Sequence, residues 1–208
     1  MALRTFVKIS SVNNLSDARY CAGMQINLMG FCIEENNKNY ISPEKFKEIT
    51  GWLSGLQYVA EFEYSHPENI LDKIKSYEGI EFIQVRNELH LNMLANTGYS
   101  LILHKDISSL NELNELVNKA GIYSQLGVSI LLTSSNLEMD GDLVEKLKEF
   151  AAVCSVLLGF GLNANTIIDL LDKTCVKGIA MEGGDEIKPG LKDFDDLAEI
   201  LETLEIED

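Results

Sequence analysis

Eight short runs of β-branched and apolar residues recur along this chain, each followed by a stretch with helical signals. In order the runs are RTFVKIS, INLMGFCI, LQYVAEFEY, IEFIQVR, YSLILHK, VSILLTSS, AVCSVLLGFG and VKGIAM. Strands separated by helices must run parallel, because a parallel neighbour is reached only through a crossover connection. Eight such units favour a closed (β/α)8 barrel, and the competing doubly wound open sheet usually needs fewer units and a switch point. The intervening stretches supply their own helix signals. Ser16 to Cys21 closes at Gly23, and Ser42-Pro43 is a cap and first-turn pair ahead of Phe46, Ile49, Leu53 and Leu56. Ile70, Ile74 and Tyr77 give one face, ELHLNMLAN is the weakest helix, and Ser109 with Glu112 forms a capping box before Leu113 and Leu116. Leu143, Leu147 and Phe150 mark the next helix, Asn163 is read as the cap of another, and an acidic last helix carries Phe194, Leu197, Leu201 and Leu204. With no linker, repeat or low-complexity insert, residues 1–208 are expected to form one domain.

Charge narrows the partners. The 17 Lys and Arg face 33 Asp and Glu, a formal net charge of -16, which repels nucleic-acid phosphates and anionic lipid. No apolar run approaches the roughly 18 residues of a membrane span, and MALRTFVKIS lacks the long apolar region of a secretion signal. The expectation is therefore a cytoplasmic protein with no nucleic-acid or membrane partner. Cys21, Cys32, Cys154 and Cys175 have neither metal-ligand spacing nor a neighbouring His, so buried reduced thiols are expected.

Barrels of this kind place their chemistry at the C-terminal ends of the strands, with phosphate on the loops after the seventh and eighth. The first of those loops, GFGLNANTI, offers Gly159, Gly161 and Asn163; the second, MEGGDEIKPGLKD, offers Gly183 and Gly184. Glycines let backbone N–H groups approach an anion, and a helix N-terminus adds partial positive charge. Glycines after strands also simply make turns, so spacing alone leaves both readings open.

Motif order along the chain resembles phosphoribosylanthranilate isomerase, a (β/α)8 enzyme of tryptophan biosynthesis that carries out an Amadori rearrangement. The echoes are Lys8-Ile9-Ser10-Ser11, Asp17-Ala18, Gly30-Phe31, Ser42-Pro43-Glu44, Gln84-Val85-Arg86-Asn87, Gly159-Phe160-Gly161-Leu162-Asn163, Gly183-Gly184 and Pro189-Gly190-Leu191-Lys192-Asp193. The resemblance implies a phosphorylated small-molecule ligand, no organic cofactor or metal, and a monomer or homodimer. It also implies a Cys base, an Asp acid ending the sixth strand, and an Arg for the substrate carboxylate. Here those positions hold Ser10, Thr133 and Asn39, the last between Lys38 and Tyr40. A serine hydroxyl is far less acidic than a thiol, and threonine has no carboxylic proton to give. Gln84 and the glycines stay as ligand contacts, while Phe160 replaces a glycine of the phosphate loop.

Chemistry that has moved rather than vanished would use other strand-end groups: Cys32, Glu61 with Glu63, Arg86, and His104-Lys105-Asp106. Two carboxylates aimed into one cavity can act as acid and base. A salt-bridged role for Glu61 and Glu63 is preferred, with Arg86 as a counterion and Lys8 paired to an acidic neighbour; His104 is read as packed or hydrogen-bonded. Three readings result: an isomerase-like phosphosugar barrel that has lost its acid and base, a non-catalytic binding or regulatory protein, and a different isomerase or lyase built on Glu61, Glu63, Arg86 or His104.

Overall fold

In the computed structural model, residues 2–183, 186–188, 191–192 and 195–206 are described. Eight strands close into a barrel in sequential order. They are β1 (Phe6–Ser10), β2 (Leu28–Cys32), β3 (Gln57–Glu61), β4 (Ile80–Val85), β5 (Ser100–Asp106), β6 (Ser129–Thr133), β7 (Val156–Leu158) and β8 (Gly178–Glu182). All neighbours are parallel, and β8 returns to β1 with Phe6 beside Gly178 and Ser10 beside Glu182. The (β/α)8 barrel expected from the alternation is the observed fold.

The period of two along each strand divides the core in two. Leu28, Val59, Ile102, Leu131, Leu157 and Ala180, with Phe6 and Phe82, fill the lumen as one apolar cluster. Alternate residues such as Val7, Ile9, Met29, Phe31, Ile83 and Ile130 pack outward against the helices. Both faces are covered, which is why the strands read as nearly continuous apolar runs.

The helices are α1 (Leu15–Gly23), α2 (Pro43–Thr50), α3 (Pro67–Ile74), α4 (Leu91–Leu94), α5 (Leu110–Asn118), α6 (Ala120–Gln125), α7 (Gly141–Ala151), α8 (Ile167–Thr174) and α9 (Asp195–Leu204). Several local expectations need correction. The stripe on α2 stops at Ile49, because the helix ends at Thr50; Leu53 and Leu56 pack from the following turn. ELHLNMLAN becomes a 3-10 turn, Glu88–His90, ahead of the four-residue α4. Ser109 does cap α5, but the Glu112 carboxylate returns its bond to the Ser108 amide instead of that of Ser109. The seventh run is strand only over Val156–Leu158, its AVC portion being the exit from α7. Cys21, Cys32 and Cys154 are buried thiols outside any disulfide, whereas Cys175 is exposed at the left-handed C-cap of α8. Gly184, Asp185, Pro189, Gly190, Asp193 and Phe194, all used in the sequence reading, lie outside the described residues.

Two short antiparallel pairs accompany the barrel: Ala2–Leu3 with Glu205–Ile206, and Glu186–Lys188 with Leu191–Lys192. Among the described residues no helix is long and apolar enough to cross a membrane.

Barrel closure depends on Gly178, where an added Cβ would lie 1.9 Å from the Phe6 carbonyl oxygen. Backbone cannot swing aside as a side chain can. Gly178→Ala should destabilise the fold by about 3 kcal/mol or more, read as a lowered denaturation midpoint.

Candidate functional site

Above the apolar layer, the same alternation turns Lys8, Gly30, Glu61, Gln84 and His104 into the lumen, and Ser10, Cys32, Asp106, Thr133 and Glu182 toward its mouth. Lys8 is fully buried, and its Nζ lies 2.5 Å from Glu61 Oε1 and 2.6 Å from Ser10 Oγ. Ser10 therefore accepts a hydrogen bond from an ammonium. The second oxygen of Glu61 accepts the Ser11 amide at 3.0 Å. Ser11 reaches it from a left-handed backbone conformation, φ 56, which a non-glycine residue adopts only at a cost of order 1 kcal/mol. Gly30 makes room for the pair: a Cβ there would lie 2.0 Å from Glu61 Oε1 and 3.0 Å from Lys8 Nζ.

The tips of β5 and β6 carry a second network. The Thr133 hydroxyl donates to Asp106 Oδ1 at 3.0 Å, so its oxygen accepts from His104 Nε2, 2.9 Å away. Burial, then the nearby positive charges of Arg86 and Lys8, presses the His104 pKa down to about 3. The ring is a neutral donor at ordinary pH. Gln84 lies between the two networks along the barrel wall, beside Glu61 in register. It is only 6% exposed, and its Oε1 is buried with no hydrogen-bond partner among the described residues.

Glu61 and Glu63 engage different partners: Glu61 holds Lys8, while Glu63, beyond the end of β3, pairs with Arg86 at 3.6 Å near the surface. Cys32 faces inward, but burial pushes its thiol up to about 11, so it supplies no thiolate. Asn39 is half-buried and its amide donates to Asn37 Oδ1 at 2.9 Å, while Lys38 is exposed beside it. His66 and His90 meet edge-on at 6.0 Å, the first at the N-cap of α3 and the second at the end of the 3-10 turn.

The loop after β7 differs from its sequence reading. Asn163 Oδ1 accepts from the Asn165 amide, heading a turn, and α8 begins only at Ile167, its N-cap Thr166 making no side-chain capping bond and donating its hydroxyl back to the Asn163 carbonyl at 3.4 Å. Gly161 is in the left-handed region at φ 65, and an added Cβ would lie 2.6 Å from the Met139 side chain. Phe160 is buried. Gly159 donates its amide to the Leu132 carbonyl at 2.7 Å, and Gly183 donates to the Ser10 carbonyl at 3.2 Å.

One polar residue escaped the sequence reading. Glu34, buried beyond β2, accepts the amides of Glu63, Tyr64 and Ser65 at 3.0, 3.1 and 2.7 Å. Burial works to raise its pKa, but hydrogen bonds from the Ser65 side chain and the three amides outweigh it and hold the carboxyl below its ordinary value. Nothing in the local sequence marks it, because its partners come from the next strand's loop.

These features define a (β/α)8 barrel with a polar site at the C-terminal strand tips. By sequence the chain is similar to curated N-(5'-phosphoribosyl)anthranilate isomerases. That of Thermotoga maritima is 26% identical over 199 residues, covering 92% of this chain and 94% of the relative. That of Aquifex aeolicus is 24% identical over 213 residues, covering 97% and 98%. Among solved structures, the phosphoribosyl anthranilate isomerase of Thermotoga maritima matches with a TM-score of 0.77 at 23% identity, over 96% of this chain and 98% of that one. No protein-family model matches the chain.

The charge pair makes a stability prediction. Glu61→Gln leaves a buried ammonium without its counterion and should destabilise by about 3 to 5 kcal/mol, while Lys8→Met combined with Glu61→Leu should recover most of the loss in chemical denaturation. His104 makes another. Its folded pKa lies below the unfolded value, so the unfolded chain binds more protons between about pH 6.5 and pH 3. Its contribution should therefore fall as pH drops through that window, and imidazole NMR shifts should show a neutral ring down to about pH 4.

Proposed function

We propose that this chain is a divergent phosphoribosylanthranilate isomerase-like barrel that binds a phosphorylated sugar and has lost the standard isomerase acid and base. A related phosphoribosyl anthranilate isomerase has been solved with reduced 1-(o-carboxyphenylamino)-1-deoxyribulose 5-phosphate, which supports a phosphosugar as ligand. The observation that carries the loss is the state of the two hydroxyls standing where the resemblance expects base and acid.

Ser10 Oγ accepts from the Lys8 ammonium at 2.6 Å. To act as a base, the serine would first have to give up its own proton, and the salt-bridged ammonium beside it is a donor, not an acceptor. Thr133 has its hydroxyl committed to Asp106 and carries no carboxylic proton. A positioned acid or base contributes roughly 10² to 10⁴ in rate, so loss of both removes most of the rearrangement. The Asp106–Thr133–His104 chain favours a second reading, a different phosphosugar isomerase or lyase built on His104 at the tips of β5 and β6. A cytoplasmic protein, monomeric or homodimeric, fits either reading.

Purified protein should convert phosphoribosylanthranilate no faster than background, while phosphate-bearing ligands raise its melting temperature. Ser10→Cys with Thr133→Asp should then raise turnover by about 10² or more. Efficient conversion by the unaltered chain would overturn the loss of acid and base.

A further inference from the structure

Every proton at the tips of β5 and β6 is directed toward one carboxylate. Neutral His104 has a single N–H, which Nε2 gives to Thr133 Oγ1 at 2.9 Å, so the threonine gives its own hydroxyl proton to Asp106 Oδ1 at 3.0 Å. Thr133 and Asp106 are register partners, which brings the hydroxyl within reach. Asp106 ends the chain of bonds. It is exposed, shares the inward parity of Ile102 in the lumen cluster and so stands on the rim of the mouth, and its Oδ2 has no hydrogen bond among the described residues. A base oriented by a second group, itself oriented by a third, is held in one position for proton transfer.

The other groups near the mouth are less able to accept a proton. His104 is buried and too weakly basic, with its pKa pressed to about 3, and Cys32 is held as a thiol. Glu61 spends one oxygen on Lys8 and the other on the Ser11 amide, while Glu63 pairs with Arg86 nearer the surface. Glu182, at the tip of β8, is exposed as Asp106 is, but its side chain makes no hydrogen bond among the described residues that would orient it. Lys105, the chain neighbour of Asp106, has the opposite parity and lines an outer groove with Arg86 and Lys119, which leaves the carboxylate free of it.

We propose that Asp106 is the catalytic base of an aldose–ketose phosphate isomerase at this mouth, with Thr133 and, behind it, His104 as positioning residues. This rests on the second of the two readings above and moves its base from His104 to Asp106. Oδ2 takes the proton from the carbon next to the carbonyl of an open-chain sugar phosphate. The C–H electron pair becomes the carbon–carbon double bond of an enediolate, and the carbonyl π pair moves onto its oxygen. The proton of the neighbouring hydroxyl passes to that oxygen, and Asp106 returns its own proton to the former carbonyl carbon, so aldose and ketose interconvert with nothing gained or lost. One carboxylate serves both steps, whereas an elimination would also need an acid for the leaving group.

Proton NMR in deuterated water can follow exchange of the carbon-bound hydrogen next to the carbonyl in ribose 5-phosphate, ribulose 5-phosphate, glucose 6-phosphate and fructose 6-phosphate. The unaltered chain should exchange at least one of them faster than buffer alone. Asp106→Asn, which keeps an acceptor for Thr133 at an exposed position, should slow that exchange by about 10² or more with the melting temperature held, and Asp106→Glu should keep part of it. Glu182→Gln, which removes an equally exposed charge from the mouth, should leave the rate near that of the unaltered chain. Thr133→Val should lower kcat with KM held, and Thr133→Ser, which restores the hydroxyl, should recover it. Undiminished exchange in Asp106→Asn would overturn the assignment and leave the reading built on His104 standing, and an equal loss in Glu182→Gln would overturn it as an effect of charge alone. Exchange of none of the four compounds would overturn that reading together with the base, leaving a barrel that binds without this chemistry.

Discussion

A charge pair sealed inside the barrel sets the terms for the rest of the site. Lys8 is completely buried, and removing its charge from water is tolerable only because Glu61 lies 2.5 Å away and Ser10 adds a second acceptor. Glu61 in turn needs the Ser11 amide on its other oxygen, which obliges Ser11 to adopt a left-handed conformation. Gly30 must lack a side chain for the carboxylate to fit at all. Residues from three strands and one loop thus form a unit that loses most of its value when one member is removed.

That unit also restricts the chemistry available at the mouth. A serine hydrogen-bonded by an ammonium is poorly placed to become a base, and the neighbouring histidine is held neutral by burial and adjacent positive charge. The carboxylates within reach are acceptors in their described bonds: Asp106 takes the Thr133 proton donor, and Glu34 fixes three successive amides of the loop after β3. Gln84, sealed between these groups, keeps a side-chain oxygen with no partner among the described residues. Stability and the chemistry left at the mouth therefore share one physical origin, the need to satisfy buried polar groups.

The fold was largely legible because strand and helix signals repeat with different periods and eight repeats have few ways to bury both strand faces. Local endings were less legible. Leu53 and Leu56 continue a helical spacing past Thr50, yet the chain turns there, and Asn163 looks like a cap although α8 starts at Ile167. In both places apolar spacing and capping chemistry were satisfied by a turn packed on the barrel. In the site, Lys8 with an acidic partner and Arg86 as counterion were readable as pairs, but Glu61 and Glu63 were readable only as residues on one face. Their separation into a buried and a surface pair depends on where β3 ends.

The amino-acid sequence by itself determined the alternation of elements, the order of the motifs that resemble phosphoribosylanthranilate isomerases, and the identity of Ser10, Thr133 and Asn39 at the positions of interest. These are local or linear properties, fixed by residue type and spacing. Only the tertiary structure decided that Glu34 clamps the following loop, that Glu61 crosses the lumen to Lys8, and that Gln84 is left with an unsatisfied oxygen. Each of those depends on how residues distant in the chain are brought together when the barrel closes, which no local pattern of residue types encodes.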